Sequence, residues 1–94
     1  MKRIEIIANG SVRQELLGAV DEALDGEFYY SLVPLVHGRG TADWKLGTTV
    51  WPEENFLVIA YLDDELAARI PPVISALKAR FPHEGVKFFQ LTVD

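Results

Sequence analysis

His37, Gly38, Arg39, Gly40 and Thr41 stand in one run, and their types and spacing suit the binding of an anion. Two glycines one residue apart leave backbone N–H groups open, and Arg39 sets a cation between them, so such a turn can cradle a phosphate. A G-x-G pair is also an ordinary turn. No helix follows this one, so it is not the dinucleotide-binding fingerprint. Histidine is the commonest metal ligand and titrates near neutral pH. The chain has two, His37 and His83. Neither has a second ligand at i, i+4 spacing and neither sits in a zinc motif. A two-histidine metal site would have to be assembled by folding or between copies. Trp44, Lys45 and Trp51 follow in the same loop, where the tryptophans read as aromatic anchors for a partner. The plainer alternative is that they fold back over a subunit seam, Trp51 beside Pro52 above all. Glu53-Glu54 before a strand reads as a solvated turn rather than a metal pair.

Other chemistries are not expected. No Ser/His/Asp arrangement, nucleophile elbow or carboxylate pair can be read from the spacing, so an enzyme is not expected. There are no cysteines, which rules out thiol and zinc-thiolate chemistry and fits a cytoplasmic protein. Fourteen acidic residues against nine basic ones leave a net charge of -5, and the basic residues are scattered rather than striped. Nucleic acid is therefore not an expected partner. Glu5 interrupts the apolar N-terminal run, so no signal peptide is expected. No stretch approaches the roughly 20 apolar residues of a membrane span. No direct membrane insertion is expected, and any membrane connection would go through a partner.

The elements that must position the loop follow from periodicity. Ile4, Ile6 and Ala8 alternate as a first strand near residues 3–8. Ser11 with Gln14 has capping-box spacing, and Val12, Leu16, Leu17, Val20, Ala23 and Leu24 then share one helical face. Asp25-Gly26 ends that helix, with Gly26 suited to a left-handed cap. Phe28 to Val36 is aromatic and branched and predicts a second strand, with Pro34 at an edge or a bulge. Residues 37–55 form a loop far longer than the usual 4–6 residues, and residues 39–52 are expected to be mobile without ligand or partner. Phe56 to Leu62 predicts a third strand. Asp63 or Asp64 caps a second helix through Leu66, Ile70, Val73, Ile74 and Leu77. Either that helix kinks at Pro71-Pro72, or a short turn precedes it and Pro71 opens the main helix. Val86 to Val93 predicts the last strand.

The order β-α-β-β-α-β predicts one α+β domain over residues 1–94, a ferredoxin-like sandwich. Its antiparallel four-stranded sheet carries two helices on one face. Strands two and three are apolar on both faces, and 49% of the 94 residues are hydrophobic. A chain this short is marginal alone. The helix-free face is therefore expected to pack on another subunit.

Over about residues 2–92 the sequence resembles the PII signalling proteins, in particular their short, divergent PII-like branch. Lys2-Arg3-Ile4-Glu5-Ile6-Ile7 looks like the family's first strand, and Val36-His37-Gly38-Arg39-Gly40 is similar to its G-x-G approach to the long T-loop. Asn55 to Asp64 looks like the strand-to-helix passage that ends in paired acids. Gly85-Val86-Lys87-Phe88-Phe89 resembles the end of the B-loop. The resemblance implies a homotrimer with its sheets packed inward. It implies an effector, often an adenine nucleotide, in the cleft between subunits, and a T-loop that signals to a protein partner such as a membrane transporter. Gly38 and Gly40 match the T-loop base glycines, and Lys87 matches the phosphate-binding lysine. With Arg39 and Thr41 they form the expected ligand set. The sequence departs from the family where its threonine falls near Leu32, where His83-Glu84-Gly85-Val86 replaces G-D-G, and at Asp94, which stands in place of a basic extension. The loop lacks the modifiable tyrosine, so uridylylation is not expected. A second reading stands beside this one: a metal-responsive or metal-tolerance trimer like the CutA relatives, with His37 or His83 as ligands.

Overall fold

Alternation at the amino end becomes strand β1, Lys2–Asn9, in the computed structural model, which describes residues 1–38 and 54–94. Ile4, Ile6 and Ala8 point inward and are fully buried. A single 3-10 turn, Gly10–Val12, follows, and its cap is Asn9 rather than the expected Ser11. The Asn9 side chain accepts from the Ser11 N–H at 2.9 Å. An asparagine reaching two residues forward closes a tighter turn than a serine reaching three. Helix α1, Arg13–Ala23, buries Leu16 and Val20, with Val12 and Leu24 extending the same stripe at its two ends. It ends in two left-handed residues, Asp25 at φ 54° and Gly26 at φ 80°. The Gly26 N–H donates to the Asp21 carbonyl at 2.9 Å, as the expected glycine cap should. Asp25 also takes the left-handed shape, and its carboxylate meets Arg69 at 3.3 Å.

Strand β2 covers Ser31–Val36 and not the whole of the expected 28–36. Phe28 instead turns into the core, and Tyr30 packs on its ring with centroids 4.6 Å apart. That packing takes the stretch out of the ladder. Pro34 falls where the pairing of β2 with β3 slips between Val33 and Val36, on an edge strand, as a residue without an N–H must. Strand β3 is Asn55–Leu62. Asp63 then caps the short helix α2, Asp64–Ala67, by accepting from the Leu66 N–H at 2.9 Å. The main helix α3, Ile70–Arg80, begins with Pro71 and Pro72 in its first turn, so the two prolines open a helix rather than kink one. Replacing Asp63 by Ala leaves that donor without its side-chain acceptor, and it is expected to cost about 1 kcal/mol in a urea unfolding curve. A change below the error of the curve would show that water caps α2 as well.

Strand β4, Val86–Thr92, completes a four-stranded sheet in the order β2-β3-β1-β4, all pairs antiparallel. This is the expected ferredoxin-like α+β fold. Helices α1 and α3 cover one face. Between them and the sheet lie Ile4, Ile6, Leu16, Val20, Phe56, Val58, Ile70 and Ile74 in one core. Arg39, Gly40, Thr41, Trp44, Lys45, Trp51 and Glu53, with the expected mobility of 39–52, lie outside the described residues.

Candidate functional site

The two loops of interest meet the sheet at one end. The Asn9 N–H donates to the Gly85 carbonyl at 3.1 Å, and the Gly10 N–H donates to the Glu54 carbonyl at 2.8 Å. The turn after β1 thus ties down both the α3–β4 turn and the residue by which the long loop returns. Gly10 suits the second tie: a Cβ there would lie 3.1 Å from the Glu54 oxygen, a tight contact that the returning loop would have to relieve by a few tenths of an ångström. Close to this end, Lys87 stands opposite Ile7, Ile7 opposite Leu57, and Leu57 opposite Val33. Gly38 leaves from the end of β2 and Lys87 stands near the start of β4. They share an end of the sheet but occupy opposite edges, three strand spacings apart, about 14 Å. One chain does not bring them together. The Lys87 side chain is exposed and makes no ion pair among the described residues.

The histidines follow the same division. His37 follows β2 at one edge and His83 lies in the turn that feeds β4 at the other, and both are exposed. No group of three or more His, Asp or Glu side chains among the described residues is placed to hold a metal ion. No helix among them is long and apolar enough to cross a membrane.

The helix-free sheet face is the larger feature. Pairing places Val33, Leu57 and Ile7 in one row with Lys87, Ile59 and Glu5 in the next with Phe89, and Tyr61 and Arg3 in the third with Leu91. Phe89 and Leu91 are 48% and 49% exposed, Tyr61 51% and Val33 38%. Exposed apolar side chains gathered on one face are what partner-covered surfaces commonly show. Toward the end of this face that β2 does not reach is a polar cluster that sequence reasoning missed. Arg3 Nε donates to Glu5 Oε2 at 2.7 Å, and Arg3 Nη1 donates to the Tyr61 hydroxyl oxygen. The guanidinium also lies 5.5 Å from the Tyr61 ring centre. The hydrogen bond to Glu5 raises the Arg3 pKa above its ordinary value, with Tyr61 adding to the shift and partial desolvation opposing it. The signal available in the sequence was the i, i+2 charge pair on one strand. Tyr61 entered only with the register.

No protein-family model matches the chain, and no curated protein sequence matches it. Solved structures do. The chain is similar to a protein of Thermus thermophilus provisionally named a PII-like signalling protein, with a TM-score of 0.66 and 23% identity, over 98% of this chain and 85% of that one. It is similar to CPII of Thiomonas intermedia, a nitrogen regulatory PII-like protein bound to ADP, AMP and bicarbonate. There the TM-score is 0.62 at 21% identity, over 99% of this chain and 91% of that one. The apo form of CPII matches with a TM-score of 0.60 at 21% identity, over 98% and 89%. The chain therefore has the fold of the PII-like signalling proteins over nearly its whole length.

Proposed function

We propose that this chain is a cytoplasmic PII-like regulatory protein and not an enzyme. In this reading three copies pack through the helix-free sheet face. An adenine nucleotide binds in the cleft between the β2 edge of one copy and the β4 edge of the next. Gly38 and Gly40 offer backbone N–H groups to the phosphates, Arg39 and Lys87 supply the charge, and Thr41 adds a hydroxyl. Loop 37–55, with Trp44, Lys45 and Trp51, reports occupancy to a protein partner such as a transporter. The observation that carries the reading is the near-complete fold likeness to CPII, whose structure holds ADP, AMP and bicarbonate. The positions of Gly38 and Lys87, at one end of the sheet but on opposite edges, support a site completed by a neighbouring copy.

Titration calorimetry with ATP, ADP and AMP, each with and without bicarbonate, tests it. One nucleotide per subunit is expected, and Lys87→Ala is expected to weaken it by roughly tenfold or more, the worth of a charge-assisted hydrogen bond. Nucleotide binding that Lys87→Ala leaves unchanged would refute the site. Silence toward all three nucleotides, with a response to a divalent transition metal that His37→Ala abolishes, would replace the reading with the metal-responsive one.

A further inference from the structure

We propose that Arg3, Glu5 and Tyr61 are the specificity element of self-association, setting how many copies meet on the open sheet face and in what orientation. The inference rests on the assembly reading above and adds to it which groups choose the geometry. Apolar burial is non-directional. Ile7, Leu57, Ile59, Phe89 and Leu91 would hold a second copy in many registers at similar strength. Arg3 and Glu5 differ in kind. They lie on β1, an inner strand of the sheet, with Tyr61 and Leu91 flanking one and Ile59 and Phe89 flanking the other. Their side chains are only 35% and 29% exposed in the single chain, so an occupant of this face buries what remains.

Covering the cluster raises a hydrogen-bonding problem with one economical solution. A guanidinium has five N–H donors. Two are used within the chain, one on Glu5 and one on Tyr61, among the described residues. The others need acceptors once water is excluded. Glu5 accepts through Oε2, and its Oε1 has no donor among the described residues. Donor surplus and acceptor surplus thus sit side by side on one patch, and the patch complements itself. A second copy in the right register supplies both. A copy shifted along the face leaves the Arg3–Glu5 pair intact but buries the remaining guanidinium N–H groups and Glu5 Oε1 without partners, which is unfavourable. An apolar peptide or a lipid surface would strand both groups. A polar group within an apolar seam selects partner number in helical assemblies by the same logic.

The test compares wild type with Arg3→Met, Glu5→Leu and the double variant by native mass spectrometry and sedimentation equilibrium. Circular dichroism at concentrations below association reports folding. Wild type is expected to show one stoichiometry. Each single variant is expected to dissociate at a protein concentration roughly tenfold higher or more, because it leaves a charge unpaired. The double variant, apolar throughout, is expected to associate tightly again but to spread over several stoichiometries. If a single variant fails to fold, the double variant still decides, since Met and Leu suit a strand face. A double variant that keeps the wild-type stoichiometry as its only species would overturn this inference and leave the assembly reading standing. A wild-type protein that stays monomeric would overturn both.

Discussion

The Phe89→Glu variant is expected to sediment as a monomer while keeping the circular dichroism of the parent, which is expected to sediment as a trimer at micromolar concentration. Phe89 lies on the outer strand β4, on the face without helices, and nearly half of it is exposed in the single chain. The isolated domain therefore loses little when the ring is removed. An assembly closed over this face loses much more. Burying a phenylalanine side chain is worth about 1.5–3 kcal/mol, and each subunit contributes one. A carboxylate placed there would be buried without a partner, which costs more again. It would also stand directly across the strand from Glu5, a like charge. At about 3 kcal/mol or more per subunit, the shift in assembly midpoint exceeds a hundredfold. An oligomeric Phe89→Glu protein, or a parent that sediments as a monomer, would show that this face is not the interface.

Much of the architecture was legible because it depends on local periods. Ile4, Ile6 and Ala8 declare the buried side of β1 by alternation alone, and Val12, Leu16, Val20 and Leu24 declare that of α1 by helical spacing. Pro34 and Pro71-Pro72 were informative for the same reason: a residue without an N–H restricts its place to an edge, a bulge or a first turn, whatever the rest of the chain does. The errors came where two local signals competed. Ser11 had the capping-box spacing, but Asn9 closed a shorter turn. Phe28 to Tyr30 had strand-forming residue types, but the core claimed the Phe28 ring and the ladder began three residues later.

The site was less legible because it depends on register and on sheet order. That Gly38 and Lys87 share an end of the sheet follows from connecting β2 and β4 through β3 and β1, and no spacing in the sequence states it. The meeting of Arg3 with Tyr61 spans 58 positions and needs the two strands to pair in one register. A slip of one residue would send Tyr61 to the helix side. The even positions of β3, Phe56, Val58, Ala60 and Leu62, prevent that slip by filling the core. The core residues of β3 therefore place the polar cluster on the opposite face.

The second large effect is expected at Phe56. Phe56→Ala is expected to cost about 3–5 kcal/mol, the usual range for removing a fully enclosed aromatic ring. Phe56 has no exposed surface and stands among the largest enclosed side chains of the core. It pairs with Ala8 across the β1–β3 ladder, where the small neighbour leaves the ring to fill the layer beneath the helices. Total stability for a chain of this length is about 5–14 kcal/mol, so the loss is a large share of it. The measurement belongs in the Phe89→Glu background. There the protein is expected to be monomeric, and unfolding is not confounded by dissociation. The two positions lie on opposite faces of the sheet, and their effects should add to within about 0.5 kcal/mol. A urea midpoint falling by roughly a fifth of its value or more, or a Tm lower by roughly 15 °C or more, is the expected result. A loss below about 1 kcal/mol would mean that the core around Phe56 collapses to refill the space, against the close packing expected of it.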